Sequence, residues 1–312
     1  MTILITGGAG FIGSCLARRL LAEGDTVVVV DNLSTARRET VPEGAVFVDG
    51  DIGRPETLGK MPALRYDAVC HLAAQSSGAV SMEQPVYDVQ TNALSTILLV
   101  RWCREQGIRR VLYASSMAVY GNPVGLPVRE SSDAVPVSYY GVSKLMSEHV
   151  LRLASRDGLS TTALRMFNVY GPGQNLANLR QGMASIYLAY MLKGVPVPVT
   201  GSLERFRDFV YIEDVIDAWI NVLRRDATSS DVYNIGSGMP VRVRDLLQLL
   251  LDASGLPSGY PVEEKVAPPG DQFGLFSDCG RADIELGWRA KTALADGLRR
   301  MVAWALKEPT AR

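Results

Sequence analysis

The 312-residue chain has two histidines, His71 and His149, and four scattered cysteines, Cys15, Cys70, Cys103 and Cys279. No pair of cysteines has C-x-x-C spacing, so neither a disulfide framework nor a cysteine-zinc site is expected, and a reducing cytoplasm fits. With so few histidines, histidine catalysis has few candidates and no metal site is expected. A net charge of −1 gives nucleic acid or an anionic membrane no basic face to grip. No apolar run reaches the ~18 residues that a membrane-spanning helix needs. Met1-Thr2-Ile3-Leu4-Ile5 passes straight into an apolar strand with no basic stretch before it, so no signal peptide is expected. Internal repeats and low-complexity tracts are also missing.

Hydrophobic residues make up 47% of the chain, ample for a buried core. The length suits one large domain, or one large and one small. Short apolar strands, expected at 2–6, 26–30, 45–48, 68–71, 110–114 and 161–165, alternate with helices expected at 11–23, 85–106 and 139–157. An unbroken Val27-Val28-Val29-Val30 belongs in a parallel sheet covered on both faces. The alternation argues an α/β fold, a Rossmann-like doubly wound parallel sheet. From about residue 170 the pattern loosens. Prolines cluster at 196–198 and 268–269, and short strands (209–211, 232–235) mix with helices (213–225, 243–254, 292–307). The division expected is a dinucleotide-binding domain over 1–170 and a smaller mixed α/β lobe for substrate over 171–312, with some elements interleaved.

Residues 6–13 read Thr-Gly-Gly-Ala-Gly-Phe-Ile-Gly, a turn from the first strand into the first helix. Gly7, Gly10 and Gly13 have the spacing that lets backbone N–H groups approach a pyrophosphate at a helix N-terminus. The second strand ends at Asp31, whose carboxylate can accept both ribose hydroxyls and repels a 2′-phosphate. NAD is therefore expected rather than NADP. Arg37 and Arg38 come six residues later and read as a solvated turn. Asp51 and Ile52 follow the third strand, where they can flank an adenine. Roughly 130 residues after the glycines, Tyr140 and Lys144 sit four apart and share a helix face. A nearby ammonium stabilises a phenolate and lowers its pKa, which a tyrosine base needs. Together the two motifs suggest a chain that holds a dinucleotide and moves a hydride and a proton.

Other residues have plain readings as well as functional ones. His71 ends an apolar strand and reads as packing. Met82, Met146, Met166, Met183 and Met191 read as fillers, whereas Met117, beside Ser116, can wall a ligand pocket. Gln75, Ser76 and Ser77 follow the fourth strand, at the sheet edge where ligands bind in such folds. Asn92, in a largely apolar helix, reads as an internal hydrogen bond supporting that edge. Asn178, Arg180 and Gln181 follow a Tyr170-Gly171-Pro172 turn and can reach a sugar or a phosphate.

The motifs also occur together and in order: Gly7–Gly13, Asp31-Asn32-Leu33-Ser34, His71-Leu72-Ala73-Ala74, Ser115-Ser116-Met117-Ala118-Val119-Tyr120-Gly121, Tyr140 with Lys144, Phe167-Asn168-Val169-Tyr170-Gly171-Pro172 and Arg207-Asp208-Phe209. On these the chain resembles an extended short-chain dehydrogenase/reductase of the nucleotide-sugar epimerase family, the UDP-galactose 4-epimerase type, over nearly its whole length. The resemblance implies a tightly bound NAD, regenerated each turnover. It implies Tyr140 exchanging a proton with a sugar hydroxyl, Lys144 on the nicotinamide ribose, and Ser116 on the same sugar oxygen. It adds Phe11, Ile12, Asn32, Ser34, Leu72, Ala73, Ala74, Gln75, Asn92 and Ser115 to the residues that hold NAD. For the substrate it implies Asn168 and Arg207 on a diphosphate, with Phe167, Val199, Thr200, Arg205 and Asp271 nearby.

Dehydratases and decarboxylases of this superfamily carry acidic residues just before the Val-Tyr-Gly. Here Met117 and Ala118 stand there and cannot transfer protons. What the resemblance then implies is 4-epimerisation of a nucleotide-diphosphate sugar through a transient 4-keto sugar. The alternatives are a 4-ketosugar reductase, an epimerase at another carbon, and a non-catalytic NAD-binding regulator. Two departures leave the nucleobase open among UDP, ADP, CDP, GDP and dTDP. Pro268 and Pro269 precede Gly270-Asp271 where an arginine is usual, which leaves the clamp to Arg205 or Arg180. Thr200-Gly201 also lacks the usual large residue. The sugar stays open among hexose, hexuronic acid and heptose. Helices 85–106 and 139–157 resemble the pair that forms an intersubunit four-helix bundle, so a homodimer is expected.

Overall fold

The computed structural model describes residues 1–225, 230–267 and 272–307. Its main sheet has six strands in the first part of the chain: β1 (Thr2–Thr6), β2 (Thr26–Asp31), β3 (Val46–Asp49), β4 (Ala68–His71), β5 (Arg110–Ser116) and β6 (Ser160–Met166). After β7 (Asn168–Tyr170), β8 (Val197–Thr200) and β9 (Phe206–Tyr211), the chain returns to that sheet with β10 (Ser230–Ile235). The order is β10-β6-β5-β4-β1-β2-β3, parallel at every pairing. The strand expected at 232–235 thus belongs to the first sheet, where Ser230 pairs with Thr161.

Both faces of the sheet are apolar, which explains the valine run. Ile3, Ile5, Val27 and Val29 pack toward α1 (Phe11–Ala22), whose Leu16 and Leu20 are fully buried. Leu4, Val28 and Val30 face the other way. After α2 (Pro55–Leu58) and α3 (Gly78–Glu83), that second layer is built where a single helix is expected at 85–106. The chain there forms α4 (Pro85–Val89), a π-wound turn over Gln90–Leu94, and α5 (Ser95–Glu105). The cause is visible in the side chains. Ser95 Oγ donates to the carbonyls of Thr91 and Asn92, and Thr96 Oγ1 donates to Asn92 O at 2.7 Å, competing with the regular helical ladder. The long helix α6 (Tyr139–Ser155) packs beside α5.

In the rest of the chain, α7 (Met183–Leu192) leads to β8, and α8 (Ile212–Arg224) follows β9 and packs on α1. Then come β11 (Pro240–Arg242), α9 (Val243–Ser254), β12 (Val262–Lys265), β13 (Gly274–Leu275), α10 (Gly280–Leu286) and α11 (Leu294–Ala305). β7, β11 and β13 all pair with β9, and β12 pairs with β8. The strand order reverses between β1 and β4, and the C-terminal ends of those strands open the crevice where ligands bind in such sheets. Among the described residues no helix is long and apolar enough to cross a membrane.

Candidate active site

That crevice is a cleft of about 1890 Å³. On its floor β1 turns into α1. Gly7 has φ +70°, and a Cβ there would meet the backbone N of Ala73 at 2.6 Å. A Cβ on Gly13 would meet Gly7 O at 2.3 Å. Both positions demand glycine so that turn, helix and β4 loop can close up. Gly10 caps α1 without a side chain, and no acidic residue lies in its first turn, so the helix offers its N–H groups and positive end to an anion. Asp31 closes the far side. Its Oδ2 accepts from Ala9 N at 3.0 Å and Oδ1 from Leu33 N at 2.8 Å. Burial raises its pKa, with these backbone donors opposing. The donor set fits a dinucleotide: a bare helix terminus for the pyrophosphate and a carboxylate for ribose hydroxyls. Every cofactor residue expected from the sequence lines this cleft, except Asn92.

Asn92 is fully buried in the π-wound turn, which is why it faces the protein and not the cleft. Its Oδ1 accepts from Gln75 N at 2.8 Å and its Nδ2 donates to Gln75 O at 3.0 Å, fixing the β4 loop from behind. Gln75 lines the cleft, yet its amide is engaged inward with Ser77 and Asp88. His71 continues this support. Thr96 Oγ1 gives its one hydrogen to Asn92 O, so it accepts from His71 Nε2 at 3.1 Å, and Nδ1 is left to accept from Thr6 Oγ1 at 2.7 Å. Burial, with Lys144 nearby, pushes His71 down to about 3, so it is a neutral packing residue.

Tyr140 and Lys144 come from the first turns of α6, capped by Ser138 Oγ accepting from Gly141 N at 3.2 Å. A Cβ on Gly141 would lie 2.4 Å from Ala118 O. Glycine there lets α6 start directly against the loop after β5, which sets Tyr140 beside Ser116. The Ser116 hydroxyl lies near enough to the Tyr140 hydroxyl to favour its ionised form. Lys144 is 2% exposed and donates to Ala114 O at 2.8 Å. Its Nζ lies 4.9 Å from the Tyr113 ring centroid and 5.7 Å from that of Tyr140. Burial brings it down to about 7, with Asp88 and Glu148 opposing. Tyr140, expected to be lowered by this lysine, is pushed up to about 12. Loss of hydration is the main cause; the neighbouring Ser116 hydroxyl opposes it, and the charge of Asp88 adds to the rise. Beneath them Glu148 holds Arg165 and accepts from the Ser115 hydroxyl.

On the substrate side, the described residues expected from the sequence line the same cleft, except Val199. Val199 is fully buried in the core. Successive residues of β8 alternate, so Pro198 and Thr200 face the cleft in its place. Asp271, with Pro268, Pro269 and Gly270, lies outside the described residues. Arg207 is 5% exposed and donates to the carbonyls of Phe206, Phe273 and Gln272. Burial and the neighbouring Arg205 bring it down to about 10. Asn168 Nδ2 donates to Asp208 O at 2.9 Å. Arg180 is ion-paired to Glu83. Asp208 is an anchor the sequence reading missed. Its carboxylate accepts from the backbone N–H groups of Ser237, Gly238 and Ser277 and from both serine hydroxyls, tying β9 to two later segments. Tyr187, which hydrogen-bonds Arg205, and Gln272 also line the cleft and carried no motif to reveal them.

A parallel sheet, a glycine cradle at its switch point, and a serine, tyrosine and lysine gathered beside it define a dinucleotide-dependent enzyme. Residues 3–236 match the NAD dependent epimerase/dehydratase family, and the chain belongs to that family, whose cofactor is NAD. It is 34% identical over 304 residues to a putative UDP-glucose 4-epimerase of Methanocaldococcus jannaschii, covering 97% of each chain. Among solved structures it is similar to UDP-glucose 4-epimerase of Thermotoga maritima with UDP-glucose, at TM-score 0.92 and 35% identity, covering 98% of this chain and 99% of that one. The UDP-glucose 4-epimerase of Thermus thermophilus complexed with NAD gives TM-score 0.91 at 35% identity, covering 97% and 98%.

Proposed function

We propose that the protein epimerises a nucleotide-diphosphate sugar at C4 through a transient 4-keto sugar, with Tyr140 as acid and base. The observation that carries this reading is the gathering of Tyr140, Ser116 and Lys144 in the cleft while Met117 and Ala118 stand beside them. One proton-transfer centre is present, and neither neighbour is an acid for elimination or decarboxylation. NAD, when bound, supplies the hydride acceptor and donor. The glycine turn and α1 hold its pyrophosphate, and Asp31 its adenosine ribose.

Tyr140 takes the proton from the C4 hydroxyl and returns it to the same oxygen when the ketone is reduced on its other face. Ser116 Oγ hydrogen-bonds at that oxygen and keeps it aligned. Lys144, when protonated, offsets the negative charge that develops on Tyr140. Arg207, Arg205 and Asn168 anchor the diphosphate while the sugar turns between half-reactions. The relatives' names favour UDP as the nucleotide. Exposed Val86 on α4, Leu94 on the π-wound turn and Val142, Met146 and Leu153 on α6 favour a homodimer through those elements, and the four free cysteines suit a reducing cytoplasm.

The test is proton NMR of purified enzyme with UDP-, ADP-, GDP-, CDP- and dTDP-sugars and no added cofactor. The expected result is a C4 epimer at equilibrium, slowed about 100-fold or more in Tyr140→Phe. Turnover only when NADH or NADPH is supplied would overturn the reading in favour of a reductase.

A further inference from the structure

Asp88 is fully buried on α4 and does not line the cleft, so it touches neither substrate nor cofactor. Its Oδ1 accepts from the Ser143 hydroxyl at 2.6 Å. Its Oδ2 accepts from Gln75 Nε2 at 2.6 Å and from Asn92 Nδ2 at 3.2 Å. All three partners are donors, a shell made for a carboxylate and not for its acid. Burial raises its pKa; these bonds and the charge of Lys144 oppose.

The groups around Lys144 leave Asp88 a particular part. On β4, His71 is neutral. On β5, Tyr113 is buried and held well above its ordinary pKa. On α6 itself, Tyr140 is raised to about 12, and Glu148 is bound two-pronged to Arg165 of β6. Among these groups Asp88 is the acid whose charge no cation takes up at contact distance.

We propose that Asp88 is a positioning residue whose buried carboxylate favours the protonated form of Lys144 and, through Ser143, holds the turn of α6 that presents Lys144 and Tyr140. Its importance for catalysis rests on the reading of Lys144 given above; the charge relation itself does not. The chain has six lysines, so full-length, NAD-saturated protein labelled with ¹³Cε-lysine gives a readable titration, with the Lys144 signal assigned from Lys144→Met.

Asp88→Asn is expected to lower the Lys144 midpoint by about one pH unit. The alkaline limb of kcat/KM moves with it, a tenfold loss of protonated lysine above both midpoints. Ser143→Ala keeps the carboxylate and leaves the midpoint within about 0.3 unit. An unmoved midpoint in Asp88→Asn, or equal shifts in both variants, overturns the proposal. If the asparagine variant does not fold, Asp88→Ser serves as the neutral replacement and must give the same lowering. The midpoint is read without turnover, so its failure is separate from failure of the epimerase reading.

Discussion

Replacing Arg165 with methionine probes the charge buried beneath the candidate site. The Arg165 and Glu148 side chains are 7% and 6% exposed, with Nη2 and Oε2 2.7 Å apart. A second bond joins Nε to Oε1 at 2.9 Å, and the Ser115 hydroxyl donates to the same Oε1. Methionine fills much of the arginine's space and keeps an apolar contact with the Tyr120 ring, over which the guanidinium now lies at 4.8 Å. It leaves Glu148 charged, buried and held by Ser115 alone. Stranding one member of such a pair costs about 3–5 kcal/mol. For a chain of 312 residues the unfolding entropy is about 0.66 kcal/mol/K, so Tm falls by about 5–8 °C. Urea unfolding followed by tryptophan fluorescence reads the first quantity and scanning calorimetry the second. Adding Glu148→Gln removes the stranded charge but keeps an acceptor for Ser115, and restores more than half of the loss. A cost below about 1 kcal/mol for Arg165→Met, or a double variant no more stable than the single one, refutes the argument that the unpaired charge is what destabilises.

Two further outcomes follow from the site. Gly7→Ala forces a side chain onto a φ of +70° and against Ala73 N at 2.6 Å, so the purified variant should carry little NAD; wild-type NAD content, measured by absorbance of the nucleotide released on denaturation, contradicts the cradle. Folded Lys144 titrates near 7 against an ordinary 10.5, so between those values the unfolded chain holds the extra proton and stability rises with pH. The Lys144 penalty is full below about 7 and gone above the unfolded value. Lys144→Met should flatten the rise in urea-unfolding stability across that window, and an unchanged slope rules out Lys144 as its source.

Much of the sheet was legible because burial on both faces leaves nothing but apolar residues, as in β1 and β2. The cradle was legible because only glycine tolerates its contacts, and glycines are visible in a sequence. The rest depended on relations that local pattern does not carry. α7 is apolar on nearly all sides, so no helical stripe marks it. The π-wound turn arises from Ser95 and Thr96 bonding backward, inside what looks like an even helix. Val199 and Thr200 differ only in the phase of β8. The rise of the Tyr140 pKa comes from enclosure by neighbours distant in sequence, against the lowering that the nearby lysine suggests. Asp208 looked like part of a motif for chemistry, yet it spends its carboxylate on three backbone N–H groups.

The late return of β10 to the first sheet bears on how the chain is made. β6 ends at Met166, and the strand that covers its open edge does not begin until Ser230. At 5–20 residues per second that edge waits roughly 3–13 s on the ribosome. Throughout that interval the nascent protein displays unpaired backbone N–H and C=O groups along an apolar strand, a template for pairing with a neighbouring chain. Anything that stalls translation between 166 and 230 lengthens the exposure, and a fragment ending there keeps it for good. One strand of the C-terminal part is thus the stopper on the sheet that the first part of the chain builds.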